Sequence, residues 1–136
     1  MRWISWIALG VAAATFGGAV AFGPPQIAHA QAAPANAMRG KILFLRCSSC
    51  HAINADAPPK IGPNLAGVVG RKAGTLSGYG YSAALKGKGF VWDDAMLDLW
   101  LTNPGKVVPG TSMAFPGFAN GADRQAVIAY LKSVSR

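Results

Sequence analysis

RCSSCHAI, running from Arg46 to Ile53, holds the only two cysteines of a 136-residue chain, two residues apart, with a histidine directly after the second. Four chemistries use such a pair. A disulfide between Cys47 and Cys50 would close a loop too small to restrain the unfolded chain by much. A redox CxxC of thioredoxin type follows a strand and opens a helix in an α/β pattern, which the flanking residues lack. A zinc site needs four ligands, and outside the N-terminal segment the chain offers two Cys and one His. The fourth chemistry is covalent haem attachment, in which both thiols add to vinyl groups and the adjacent histidine lies under the iron as an axial ligand. Cys47, Cys50 and His51 together absorb every cysteine and histidine beyond position 30. One haem c per chain is therefore the expectation.

The N-terminal segment supports it. MRWISWIALGVAAATFGGAVAF carries a single charge, Arg2, and the 20 residues Trp3 to Phe22 are long enough to cross a bilayer as a helix. Gly23, Pro24 and Pro25 stop that helix, and Ala28-His29-Ala30 supplies the small-x-small pattern cut by signal peptidase before Gln31. Residues 1–30 are expected to be a signal peptide, with an uncleaved membrane anchor as the alternative. Either delivers the protein outside the cytoplasm, to a periplasm, the uncleaved form being anchored to the inner membrane. Residues 31–38 follow as a linker or mature N-terminus, and 39–136 as one domain. Without residues 1–30 there are 12 Lys and Arg against five Asp and no Glu, a charge of +7. Such a charge favours solubility and steering toward acidic surfaces. The basic residues are scattered without an arginine-rich run, so nucleic acid is not an expected partner.

Along the domain, GKILFLRC is apolar and free of breakers, which predicts a short helix leading into CSSCH. Prolines 58, 59 and 63 and glycines 62, 67, 70, 74, 78 and 80 exclude long regular elements from the next thirty residues. A short helix over Tyr81 to Lys86 comes next. Asp93 or Asp94 can cap another, which places Met96, Leu97, Trp100 and Leu101 on one face before Asn103-Pro104 stops it. The stretch GKVVPGTSMAFPGF, Gly105 to Phe118, is expected to be loop. Asn120 then caps a last helix in which Val127, Tyr130, Leu131 and Val134 repeat at i, i+3, i+4, i+7. No stretch alternates like a strand. Three or four short helices make a thin core for about 100 residues, and a long loop is tolerable if it wraps a large non-protein group.

A six-coordinate iron needs a second ligand, and with no other histidine the thioether of a methionine is the natural candidate. Met38 lies too close to Cys47 to pass over the ring. Met96 sits on the packing face of a helix. Met113 lies in VVPGTSMAF, far enough along the chain to close over the opposite side. The predicted metal ligands are His51 and Met113.

The chain from about Arg39 to Arg136 resembles class I c-type cytochromes of the mitochondrial-like group that includes bacterial cytochrome c2. Beyond CSSCH, the resemblance rests on GPNLAGVVGRKAGTLSGYGYS (Gly62 to Ser82), Trp92, LWLTNP (Leu99 to Pro104), PGTSMAF (Pro109 to Phe115) and RQAVIAYLK (Arg124 to Lys132). It implies an all-α cytochrome c fold, with short helices and Gly/Pro-rich loops wrapped around the haem and the first and last helices packed together. It further implies that the Pro63 carbonyl accepts the His51 ring N–H. Arg71, Tyr81 and Trp92 match residues that bond or screen a buried propionate, and Phe115 matches an aromatic beside the exposed haem edge. Leu85 replaces a common asparagine and Trp100 a tyrosine. Gly105 and Ser112 replace docking lysines, while Arg46, Lys60, Lys72, Lys86, Lys88 and Lys106 keep positive charge elsewhere. Gly40 stands one residue from the usual helix-crossing glycine.

The function so implied is one-electron transfer by a monomeric periplasmic mono-haem protein, not an enzyme. Its donor would be a bc1-type complex or a dehydrogenase, and its acceptor a terminal oxidase or photosynthetic reaction centre. A membrane-tethered carrier is the first alternative, with membrane contact only if the N-terminal segment is retained. A haem enzyme or gas-binding protein, which needs an open iron position, is the second.

Overall fold

A computed structural model describes residues 36–135. The expected signal peptide or anchor and most of the linker lie outside the described residues. The chain is already helical at residue 36, so 36–38, assigned above to the linker, belong to α1 (36–43). Ala37 and Met38 are good helix formers, and the last breaker before them is Pro34. Phe44 keeps right-handed helical angles and leads directly into α2, Leu45–Ser48. The two run on almost as one helix, as the apolar GKILFLRC stretch predicts.

Four more helices follow, each started by a polar side chain that accepts a backbone N–H left free at a helix N-terminus. Ser82 caps α3, Ala83–Lys86. Asp93 rather than Asp94 caps α4, Asp94–Thr102. Asn103 does two jobs: its N–H donates to Leu99 O at the end of α4, and its side chain caps α5, Pro104–Val107. That four-residue helix opens the stretch expected to be loop throughout. The proline stopping α4 lacks the N–H that a first helical position leaves free anyway, so it also starts α5. Asn120 caps α6, Gly121–Val134. Among the described residues the only β pairing is an isolated antiparallel bridge between Lys72 and Val91.

α6 buries Ala126, Val127, Ile128 and Leu131, and α4 buries Leu97, Trp100 and Leu101. Met96 is only half-buried, against the same core. The first and last helices cross at Gly40. A Cβ there would lie 2.7 Å from Tyr130 Cβ and inside the van der Waals surface of the Ala126 carbonyl. Gly40 is thus itself the crossing residue. Above it the rings of Phe44 and Tyr130 meet at 5.4 Å, and Arg39 Nε donates to Asp123 Oδ1 at 3.0 Å. No helix among the described residues is long and apolar enough to cross a membrane.

Candidate functional site

The packed helices and the loops between them enclose a cavity of about 420 Å³, a size usual for small-molecule and cofactor sites. Among the described residues, nine of the thirteen that form the buried core line it: Phe44, Val68, Leu85, Trp92, Leu97, Trp100, Leu101, Val127 and Leu131. The missing core foreseen from the sequence is located here. Leu85 and Trp100, two departures from the family pattern, both face this space, with Trp100 edge-on to Trp92 at 5.1 Å.

CSSCH forms one wall. The Cys47 carbonyl accepts the N–H groups of both Cys50 (3.0 Å) and His51 (2.9 Å), a tight turn off the end of α2 that brings both thiols and the imidazole to the cavity. Neither cysteine is paired. Burial pushes the Cys47 thiol up to about 11 and holds the His51 imidazole below its ordinary range. His51 Nδ1 lies 2.8 Å from Pro63 O. A carbonyl can only accept, so Nδ1 carries the proton and Nε2 keeps its lone pair. A neutral imidazole with one fixed tautomer suits a metal ligand.

Gly62 makes this contact possible. Its N–H donates to Cys50 O at 2.8 Å, and a Cβ there would meet His51 Cε1 at 2.5 Å and Cys50 O at 2.9 Å. The sequence reading gave it no role beyond breaking regular structure.

Another part of the lining comes from the segment after α5, residues 111–115. Met113 is half-buried, and its N–H donates to Thr111 Oγ1 at 3.3 Å. Of the three methionines in the described residues it alone lines the cavity. Met38 is 68% exposed, and Met96, on α4, packs half-buried against the core without lining the cavity. Phe115 stands at the rim, edge-on to Phe118 at 5.2 Å.

The remaining candidates gather along the glycine-rich segment. Arg71, Tyr81 and Trp92 all line the cavity. Arg71 also has work of its own, donating to Ala66 O at 3.0 Å and Asn64 O at 2.9 Å and so stapling the turn around residues 64–71. Burial raises the Tyr81 phenol, against a downward pull from the Arg71 guanidinium nearby. Tyr79, passed over in the sequence, is edge-on to Tyr81 at 4.8 Å, and its hydroxyl donates to Ile61 O at 2.8 Å across the cavity mouth. The Tyr-Gly-Tyr doublet was the available signal. All nine candidate residues border one space.

This donor set, two free thiols beside a neutral imidazole and a thioether in an apolar cradle, fits a covalently held haem. Comparison with known proteins gives the same answer. Residues 37–135 match the model of the family described as Cytochrome c. The chain belongs to the cytochrome c family. It is 48% identical over 92 residues to cytochrome c2 of Rhodoblastus acidophilus, covering 68% of this chain and 86% of that one. It is 45% identical over 103 residues to cytochrome c of Gossypium barbadense, covering 75% and 93%. The solved structure of cytochrome cH from Methylobacterium extorquens superposes with a TM-score of 0.67 at 46% identity, covering 71% of this chain and 97% of that one. This c-type cytochrome is therefore an all-α, mono-haem electron carrier with covalently attached haem c, an electron-transfer protein and not an enzyme. As a carrier it works between redox partners.

Proposed function

We propose that Cys47 and Cys50 would hold the haem through thioether bonds, that His51 and Met113 would ligate its iron, and that the protein shuttles single electrons in the periplasm. The donor is a bc1-type complex or dehydrogenase and the acceptor a terminal oxidase or reaction centre. The observation that carries the ligand assignment is that His51, with its proton held on Nδ1 by Pro63 O, and Met113, alone of three methionines, both border the cavity.

Iron cycling between ferrous and ferric is the chemistry the haem supplies when bound. The protein's part would be to keep both donors, His51 and Met113, in place in either state. Pro63 and Gly62 hold the imidazole ring, and the segment from Thr111 to Phe118 holds the thioether. Apolar walls from Val68, Leu97, Leu101 and Leu131 keep water off the group, and a thioether ligand favours the ferrous form, which raises the potential. Arg71, Tyr81 and Trp92 offer donors to a buried propionate, whose charge would otherwise be costly to desolvate. Phe115, which lines the cavity, would stand beside the haem edge.

Met113→Ala is expected to lower the reduction potential and to open the iron to added imidazole or cyanide. Unchanged potential and ligand binding would exclude Met113 as a ligand and leave the haem-enzyme or gas-binding alternative. The intact mass of the haem protein from its native host decides the location. Gln31 to Arg136 plus one haem identifies a free periplasmic shuttle, and a mass retaining residues 1–30 a tethered one.

A further inference from the structure

We propose that Arg46 is a positioning residue for Met113, latching the methionine segment to the haem-attachment helix across the rim of the cavity. This rests on Met113 being the iron ligand, as argued above. The methionine segment is well fixed only at its ends. At one end Thr111 N–H donates to Val108 O at 3.0 Å. At the other, Phe118 N–H donates to Leu101 O at 2.8 Å, Arg124 Nη1 donates to Phe118 O at 3.0 Å, and Gly117, at φ +94°, packs where a Cβ would lie 2.8 Å from the Thr102 carbonyl carbon.

Between these feet, residues 112–117 make no hydrogen bond to any other part of the described chain, and the Met113 N–H reaches only Thr111 within its own turn. A thioether is a weak ligand on a segment held so lightly. What spans the gap is Arg46. It lies next to Cys47 on α2, with its guanidinium carbon 4.7 Å from the Phe118 ring centroid and 5.6 Å from that of Phe115. Both distances fall inside cation–π range. Arg46 makes no ion pair among the described residues, so no carboxylate competes for its charge. One aromatic belongs to the pinned foot and the other to the free stretch, two residues after Met113, so the cation joins both to the helix that carries the thiols.

Imidazole titration of the ferric holoprotein, read by its absorption spectrum, tests the latch, because imidazole enters only when Met113 leaves. Arg46→Gln, a surface change that keeps much of the stem, is expected to raise imidazole affinity about two- to five-fold, the size of one exposed cation–π contact. Arg46→Lys, still cationic but without the planar face, is expected to fall between wild type and Gln. Lys88→Gln removes an equal charge from an exposed residue outside the cavity wall and is expected to change nothing. Wild-type affinity in Arg46→Gln overturns the proposal, as does an equal rise in Lys88→Gln, which would make net charge the cause. Met113→Ala in the same titration keeps the two levels apart. If it fails to raise imidazole affinity, Met113 is no ligand, and the site assignment falls together with the latch.

Discussion

Gly62 and His51 illustrate how much of the site is set by single residues in contact. The spacing of CSSCH named the imidazole, but only the neighbour's position shows why the residue before Pro63 has no side chain. A methyl group there would press on the ring and on the Cys50 carbonyl. Gly62→Ala is expected to destabilise the holoprotein by about 1–3 kcal/mol, the usual cost of overpacking, with a perturbed His51 signal. Thermal unfolding and the paramagnetic NMR spectrum of the ferric protein measure both, and native values in each would mean that the loop yields without moving the ring. Arg71 shows a different limit. The resemblance assigned it to a propionate, and the structure adds two backbone carbonyls that no motif could have named, because they belong to a turn formed only on folding.

Elements were largely legible, since caps and apolar periodicity are local. Asn120 and the i, i+3, i+4, i+7 repeat located α6, and the Asp93-Asp94 pair located α4, with the structure choosing Asp93 as the cap. The exception was α5, where Asn103-Pro104 reads equally well as a stop and as a start. How α1 meets α6 could not be read, because a crossing depends on two distant faces at once. Gly40→Ala is expected to cost about 3 kcal/mol or more, since the added methyl meets backbone that cannot give way. Gly67→Ala is the matched control, at φ +62° with open space around its Cβ, and is expected to cost only the left-handed strain, about 1–2 kcal/mol. Denaturant unfolding of the two variants orders them. Equal losses would mean that the helices slide apart freely at Gly40.

For the molecule as a whole, charge and shape act together. Arg46, Lys60, Lys72, Lys86, Lys88 and Lys106 are all exposed, on a polypeptide that carries +7 without residues 1–30. The bimolecular rate with an acidic redox partner is expected to fall about ten-fold or more between low and physiological salt, as screening removes steering. Stopped-flow kinetics across that range measure it, and a flat profile would mean that charge does not guide docking. From the sequence alone came the haem c expectation, the histidine and methionine to bind it, the all-α class and the surplus of positive charge. Each follows from residue identity or from spacing within one turn of chain, where covalent geometry leaves little freedom. The tertiary structure alone decided that Gly40 is the crossing point, that Gly62 seats the imidazole, and that Arg46 lies over two aromatics about seventy residues away. Those depend on distances between segments remote in sequence, which exist only once the chain has closed around a common space.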